Sequence, residues 1–290
     1  MSTFESDTAA ELIGPGRYAV ELSDRWWVGR GPNGGYVAAL MLRAMSLEAG
    51  SAVGPTAGAV GAAGEATESA RDSGPSQPPR SLTVHFLNTP SVGPAEIEVT
   101  VERQGRSTMF LSARLVQEGE VQGKAMAVFS AERQGPSFIH TKMPELPAPE
   151  DGEEFDTSLA PVPVFARYRA IVALGGVPMS GGDRADTAGW LKLVDEEPMS
   201  PELAAAMLDV WYPAPFVAIT EPAVAPTLEY TVHFPREMPV EGAGPSDWVL
   251  ARLKVDEAVE GHFTEDGELW TRDGVLLARC RQVALLKSVG

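Results

Sequence analysis

Two copies of one tetrapeptide limit the fold of this chain more than any other feature: Thr83-Val84-His85-Phe86 recurs as Thr231-Val232-His233-Phe234. A four-residue match alone could arise by chance, but its surroundings recur with it. Each copy opens a segment of alternating character, and each is followed by an extended stretch, a turn and a terminal strand. After the first copy, strands are expected at 96–103, 107–117 and 121–130, with a turn at Glu118-Gly119. After the second they are expected at 248–255, 257–264, 267–272 and 275–287, with a turn at Asp273-Gly274. Upstream of each copy lies one apolar helix, preceded by short strands at 17–22 and 26–28 in the first half and at 164–173 and 189–194 in the second. Short strands, a helix, then antiparallel strands, twice over, predict an α+β chain. In each half a long curved sheet would wrap one helix, with both helices central.

The first helix has Asn33 as its N-cap, followed by Gly34 and Gly35 and then by Tyr36, Val37, Leu40, Met41, Ala44 and Met45 at helical spacing. Two glycines in a first turn cost roughly 1 kcal/mol each against alanine. Either they permit close packing at the helix entry, or they leave backbone N–H groups uncovered at the positive end of the helix dipole for a carbonyl oxygen or an anion. The second helix starts with Ser200 as N-cap and Pro201 at the first helical position. Its apolar residues, Leu203 to Leu208 with Val210 and Trp211, cover it nearly all round and imply burial on every side. Asp209 interrupts that surface. At 100° per residue it points away from the Leu203, Met207 and Trp211 stripe, so it is either a solvent-facing aspartate or a carboxylate retained in a cleft at an energetic cost.

Composition narrows the function classes. Forty acidic against 23 basic residues give a net charge of −17, which repels nucleic acid and anionic lipid at long range. A small anionic ligand can still dock at a local arginine cluster, because screening acts over about 8 Å at physiological salt; Arg30, Arg43, Arg103 and Arg106 flank the motifs. No apolar run reaches membrane-span length, the first residues show no signal-peptide pattern, and a single cysteine, Cys280, excludes an internal disulfide. A cytoplasmic location is expected. The four histidines lack metal-ligand spacing, so no metal site is expected; no organic cofactor is expected either. The segment 50–79, rich in Gly, Ala, Ser, Thr and Pro, reads as a mobile insertion or a lid. Domain limits follow at 1–136 and 161–290, with a linker at 137–160.

The run Gly31-Pro32-Asn33-Gly34-Gly35-Tyr36-Val37-Ala38-Ala39-Leu40, followed by Leu82-Thr83-Val84-His85-Phe86-Leu87 with Pro90, resembles the first half of proteins of the acyl-CoA thioesterase II type. Gly189-Trp190-Leu191-Lys192-Leu193, the helix carrying Asp209, Pro226-Thr227-Leu228-Glu229-Tyr230 and Asp273-Gly274-Val275 followed by Gln282 resemble the second half. The resemblance implies a tandem, or double, hotdog fold, acyl-CoA as substrate, and a homodimer or higher homo-oligomer. It also implies a catalytic set of aspartate, threonine and glutamine that activates water. Carried over residue by residue, these are Asp209, Thr227 and Gln282, with Gly34 and Gly35 as oxyanion or substrate-binding candidates. The segment between helix and strand is shorter here than in the best-studied type, which makes Asp195 and Glu202 the alternative carboxylates.

Other chemistries fit less well. No G-x-S-x-G nucleophile elbow occurs. Cys280 shares a strand face with Gln282 but sits in an apolar strand, where a lone cysteine is expected to be core. His85 and His233 occupy matched positions and are expected to be structural. A hotdog hydratase would pair an aspartate with a histidine a short step later, and Glu257 to His262 has that spacing with the wrong acid. A non-catalytic acyl-binding hotdog would keep the fold without needing an ionised Asp209.

Overall fold

The computed structural model describes residues 3–52, 77–156 and 162–289. Most of the expected 50–79 insertion lies outside the described residues. The first half runs α1 (Thr3–Asp7), β1 (Glu11–Gly14), β2 (Arg17–Leu22), β3 (Trp27–Val28), β4 (Gly31–Pro32), α2 (Gly34–Ala52), β5 (Pro79–Phe86), β6 (Gly93–Gln104), β7 (Thr108–Gln117) and β8 (Glu120–Ser130). The second runs β9 (Tyr168–Leu174), β10 (Ala185–Leu193), α3 (Pro201–Val210), α4 (Pro215–Ala218), β11 (Ala223–Val224), β12 (Thr227–His233), β13 (Val249–Val259), β14 (His262–Thr271), β15 (Leu276–Leu285) and β16 (Lys287–Ser288).

The two expected sheets are joined into one. Twelve strands form a single sheet in the order β1-β2-β6-β7-β8-β5-β12-β15-β14-β13-β10-β9, and every pairing in it is antiparallel. The order reads the same from either end once the halves are matched, so the repeat in the sequence is a repeat in space. Its centre is the β5–β12 pair, where the two tetrapeptides run antiparallel with Thr83 opposite Thr231. The two threonine hydroxyls meet at 2.9 Å, as an approximate two-fold axis between them requires.

Strand alternation sorts each strand into two faces. Leu82 and Val84 on β5, and Tyr230 and Val232 on β12, are fully buried, whereas His85 and His233 point outward and are exposed. Both histidines thus lie on the sheet face turned away from the helices. The inward faces pack against the helices: α2 lies on β5, β6, β7 and β8, α3 lies on β14 and β15, and the two helices pack on each other. One continuous core contains both.

Two boundaries differ from expectation, the first being the strand expected at 164–173, which begins only at Tyr168 after a 3-10 turn at Pro163–Arg167. At the second, a break was expected between 264 and 267, but β14 runs unbroken through Glu265 and Asp266, and the reversal before it falls at Glu260-Gly261, both at positive φ. The connection between halves is not a free linker either. It lays Met143 and Leu146 over a second apolar cluster of Ile171, Ala188, Trp190, Leu250 and Trp270. The Trp190 indole N–H donates to the Pro147 carbonyl at 2.8 Å. The strap therefore covers the outer face of the sheet over part of β9, β10, β13 and β14.

Candidate active site

The end of α3 meets the start of α2. Asn33 caps α2 as expected, its Oδ1 accepting from the Tyr36 N–H at 3.0 Å. Its amide nitrogen is left free to turn outward, and it donates to Asp209 twice, to Oδ2 and to the backbone carbonyl, each at 2.9 Å. The Gly35 N–H donates to the same Oδ2 at 2.8 Å. The anion at the positive end of α2 is thus a side chain of the protein itself.

The glycine pair serves close packing at the helix entry. A Cβ at Gly35 would stand 2.8 Å from the Asp209 Cβ and 2.9 Å from the Ala205 carbonyl oxygen, and one at Gly34 would stand 3.1 Å from Asp209 Oδ2 and from Phe86. Glycine is needed for the helices to approach, and the approach is what brings the carboxylate onto the N–H groups. The Gly35 donor is consequently engaged by Asp209.

Asp209 is closely enclosed by protein but keeps part of its surface open to solvent. Burial raises its pKa from 3.8 to about 6, opposed by the hydrogen bonds from Gly35, Asn33 and Gly34. The alternative carboxylates lie elsewhere. Asp195 accepts from the Thr3 N–H, and Glu202, at the opposite end of α3, accepts from the Ser46 hydroxyl at 3.1 Å.

Thr227 and Gln282 are brought together. The Thr227 hydroxyl donates to Gln282 Oε1 at 2.9 Å. Simple alternation from Tyr230 and Val232 would point Thr227 outward. A β-bulge corrects this: pairing with β15 shifts between Thr227 and Glu229, so Leu228 is exposed and Thr227 turns onto the inner face. Gln282 is buried on that face, opposite Tyr230 on one side and Glu265 on the other.

Glu265 was missed by sequence reasoning. It is fully buried, accepts from Gln282 Nε2 at 2.6 Å, and accepts from the Ala214 N–H at 2.6 Å. Burial pushes its carboxyl from 4.5 to about 8, and the nearby Asp209 charge adds to the rise. The signal was available in parity, since Glu265 alternates with Phe263, Gly267 and Leu269 on the inward face. Burial raises both carboxyls, and it raises Glu265 further than Asp209. The hydrogen bonds of Asp209 run to α2, whereas those of Thr227 and Gln282 run to each other and to Glu265. The Asp209 charge is nonetheless felt by Glu265, Tyr230 and Cys280 on the inner sheet face.

Cys280 packs where a Cβ on Gly267 would have to go, and burial first, then the Glu265 and Asp209 charges, hold its thiol well above the usual range. That environment suits core packing and opposes a thiolate nucleophile. Among the described residues no group of three His, Cys, Asp or Glu is placed to hold a metal ion. Likewise no helix among them is long and apolar enough to cross a membrane.

Residues 22–130 match the acyl-CoA thioesterase N-terminal domain, and residues 141–286 match the acyl-CoA thioesterase C-terminal domain. The chain belongs to the acyl-CoA thioesterase family. Its fold agrees with solved structures of similar shape. A hotdog-fold protein of unknown function from Alicyclobacillus acidocaldarius shares 26% identity over 100% of both chains, with a TM-score of 0.82. An acyl-CoA thioesterase II from Mycobacterium marinum shares 19% identity over 99% of both chains, with a TM-score of 0.71. No curated protein matches the chain in sequence. Within this thioesterase family, Asp209, Thr227 and Gln282 fall inside the matched C-terminal domain, and Asn33, Gly34 and Gly35 inside the matched N-terminal one.

Proposed function

We propose that the chain is a double hotdog, with halves at 1–136 and 161–290 and α2 and α3 as their central helices, that hydrolyses acyl-CoA thioesters with water activated by Asp209. The observation that carries this reading is the Asp209 carboxylate, enclosed between the helices, held by Asn33 and the Gly35 N–H, and poised at a pKa of about 6. A base with that value is ionised at neutral pH yet close enough to it to accept a proton efficiently.

In the reaction, water attacks the thioester carbonyl carbon as Asp209 takes its proton. Thr227 has given its hydrogen to Gln282, so its oxygen lone pairs accept a hydrogen of that water. The tetrahedral intermediate then collapses, the carbon–sulfur bond breaks, and the departing thiolate takes up the proton from Asp209. The products are a free acid and the coenzyme thiol. Gly34 and Gly35 serve through Asp209, since their N–H groups hold its ionised form. No cofactor takes part in this scheme, and a homodimer or higher homo-oligomer in the cytoplasm is the expected setting.

The test is thiol release from a panel of acyl-CoA esters by the wild type and by Asp209→Asn. Turnover by the wild type that is lost in the variant supports the reading. A folded Asp209→Asn protein with wild-type turnover removes the aspartate from the mechanism, and a wild type that binds acyl-CoA without releasing thiol makes the protein a binding module.

A further inference from the structure

Glu265 is a fully buried carboxyl beside the proposed catalytic set that the reaction above leaves unused. It lies on β14 directly opposite Gln282 on β15. Its Oε1 accepts from Gln282 Nε2, and its Oε2 accepts from the Ala214 N–H. In either protonation state both oxygens keep a lone pair for these donors.

The consequence is directional. A primary amide has one accepting end and one donating end, and the strand pairing alone does not say which end of Gln282 faces Thr227. Glu265 Oε1, by accepting, does: it takes the NH2 end of Gln282, which leaves the carbonyl end for Thr227, and the threonine must then donate its only hydrogen there. The other oxygen of Glu265 holds Ala214, just beyond the end of the helix that carries Asp209. One side chain thus holds Gln282 directly and the chain just beyond the helix of Asp209 through Ala214, whereas Asp209 has no hydrogen bond to Thr227 or Gln282.

We propose that Glu265 is a positioning residue for thioester hydrolysis, fixing the amide orientation of Gln282 and the donor role of the Thr227 hydroxyl while tethering the chain beyond Asp209 to the same strand pair. This rests on the hydrolytic reading above. A merely structural Glu265 would support the fold without any path through Gln282, and the two roles separate experimentally.

Glu265→Gln keeps the side-chain size but offers one accepting oxygen to two N–H donors. The Ala214 N–H is backbone and cannot turn, so Gln282 must reverse its amide or lose its partner, and Thr227 then faces a donor. The expected result is a kcat lowered about 10- to 100-fold with KM within about twofold of wild type. In a Gln282→Ala background the same substitution should lower kcat no further, because its path is already cut. The pair Glu265→Gln/Gln282→Glu restores an acceptor opposite Thr227 and satisfies every donor. It should exceed Gln282→Ala in kcat by about tenfold or more, and it decides the matter if the single variant does not fold. Wild-type kcat in Glu265→Gln, equal losses with and without Gln282, or a swapped pair no better than Gln282→Ala would each overturn the proposal. A wild type inactive on every acyl-CoA ester fails the hydrolytic reading instead, so the two failures are distinct.

Discussion

Asp209→Asn should make the protein more stable as it makes it inactive, and the size of the gain can be worked from the site. The native carboxyl has its pKa raised from 3.8 to about 6 by burial. At about 1.4 kcal/mol for each pH unit, holding the ionised form in the folded state costs roughly 3 kcal/mol relative to the neutral one. The sign follows from the proton balance. Between about pH 4 and pH 6 the folded state binds more protons at this position than the unfolded chain, so stability from this group is complete below the unfolded pKa and is lost as pH rises through about 6. An asparagine does not titrate. The stability gap between variant and wild type should be near its minimum at pH 4, widen to pH 6, and level off above, with roughly 3 kcal/mol as its ceiling because part of Asp209 reaches solvent. Urea unfolding of both proteins at several pH values between 4 and 7.5 measures the gap directly, since all other titrations are shared. A gap that does not change with pH, or a variant less stable than wild type at pH 7, would show that Asp209 is not held against its own desolvation.

Three further outcomes are expected. The rate profile of kcat/KM should fall as pH drops through about 6, since Asp209 must be ionised to accept a proton, and a profile flat from pH 5 to 8 would exclude it as the base. Gly35→Ala should lower stability: the added methyl meets Asp209 and Ala205 at under 3 Å, an overpacking of about 1–3 kcal/mol that outweighs the roughly 1 kcal/mol gained in helix propensity. A melting temperature equal to or above the wild type's would refute that account of the helix crossing. Cys280→Ala should retain turnover and lose about 1 kcal/mol of stability from the small cavity, whereas loss of turnover in a folded protein would restore a role for the thiol.

The sheet was legible in the sequence because alternation is a local signal and the repeat supplied a second reading of it. The tetrapeptides marked two equivalent strands, but the pairing of those strands at the centre of one sheet, with Thr83 meeting Thr231, came from the structure. The site was legible only in part. Thr227 needed a bulge to reach the inner face, and a bulge is set by cross-strand register that a single strand does not encode. Glu265 was hidden by an expected break in β14, placed where two acidic residues interrupt the pattern; counting parity from Phe263 to Leu269 would have exposed it.

Asp209 shows a deeper limit. A helical wheel separates one helix face from another but cannot distinguish solvent from a second central helix, and α3 turns its unmatched face to the start of α2. At the opposite meeting of the helices the carboxylate is Glu202. There Ser46 of α2 approaches the start of α3, where Glu202 already occupies the positive end of the helix and accepts from the serine. A carboxylate in place of Ser46 would face Glu202 without a cation between them, at the cost of burying like charges together. The glycine pair at the start of α2 leaves that end open, and the acid therefore comes from α3. The approximate symmetry that repeats the strands thus does not extend to the helix meetings, where Asp209 accepts from the start of α2 at one and Glu202 accepts from Ser46 at the other.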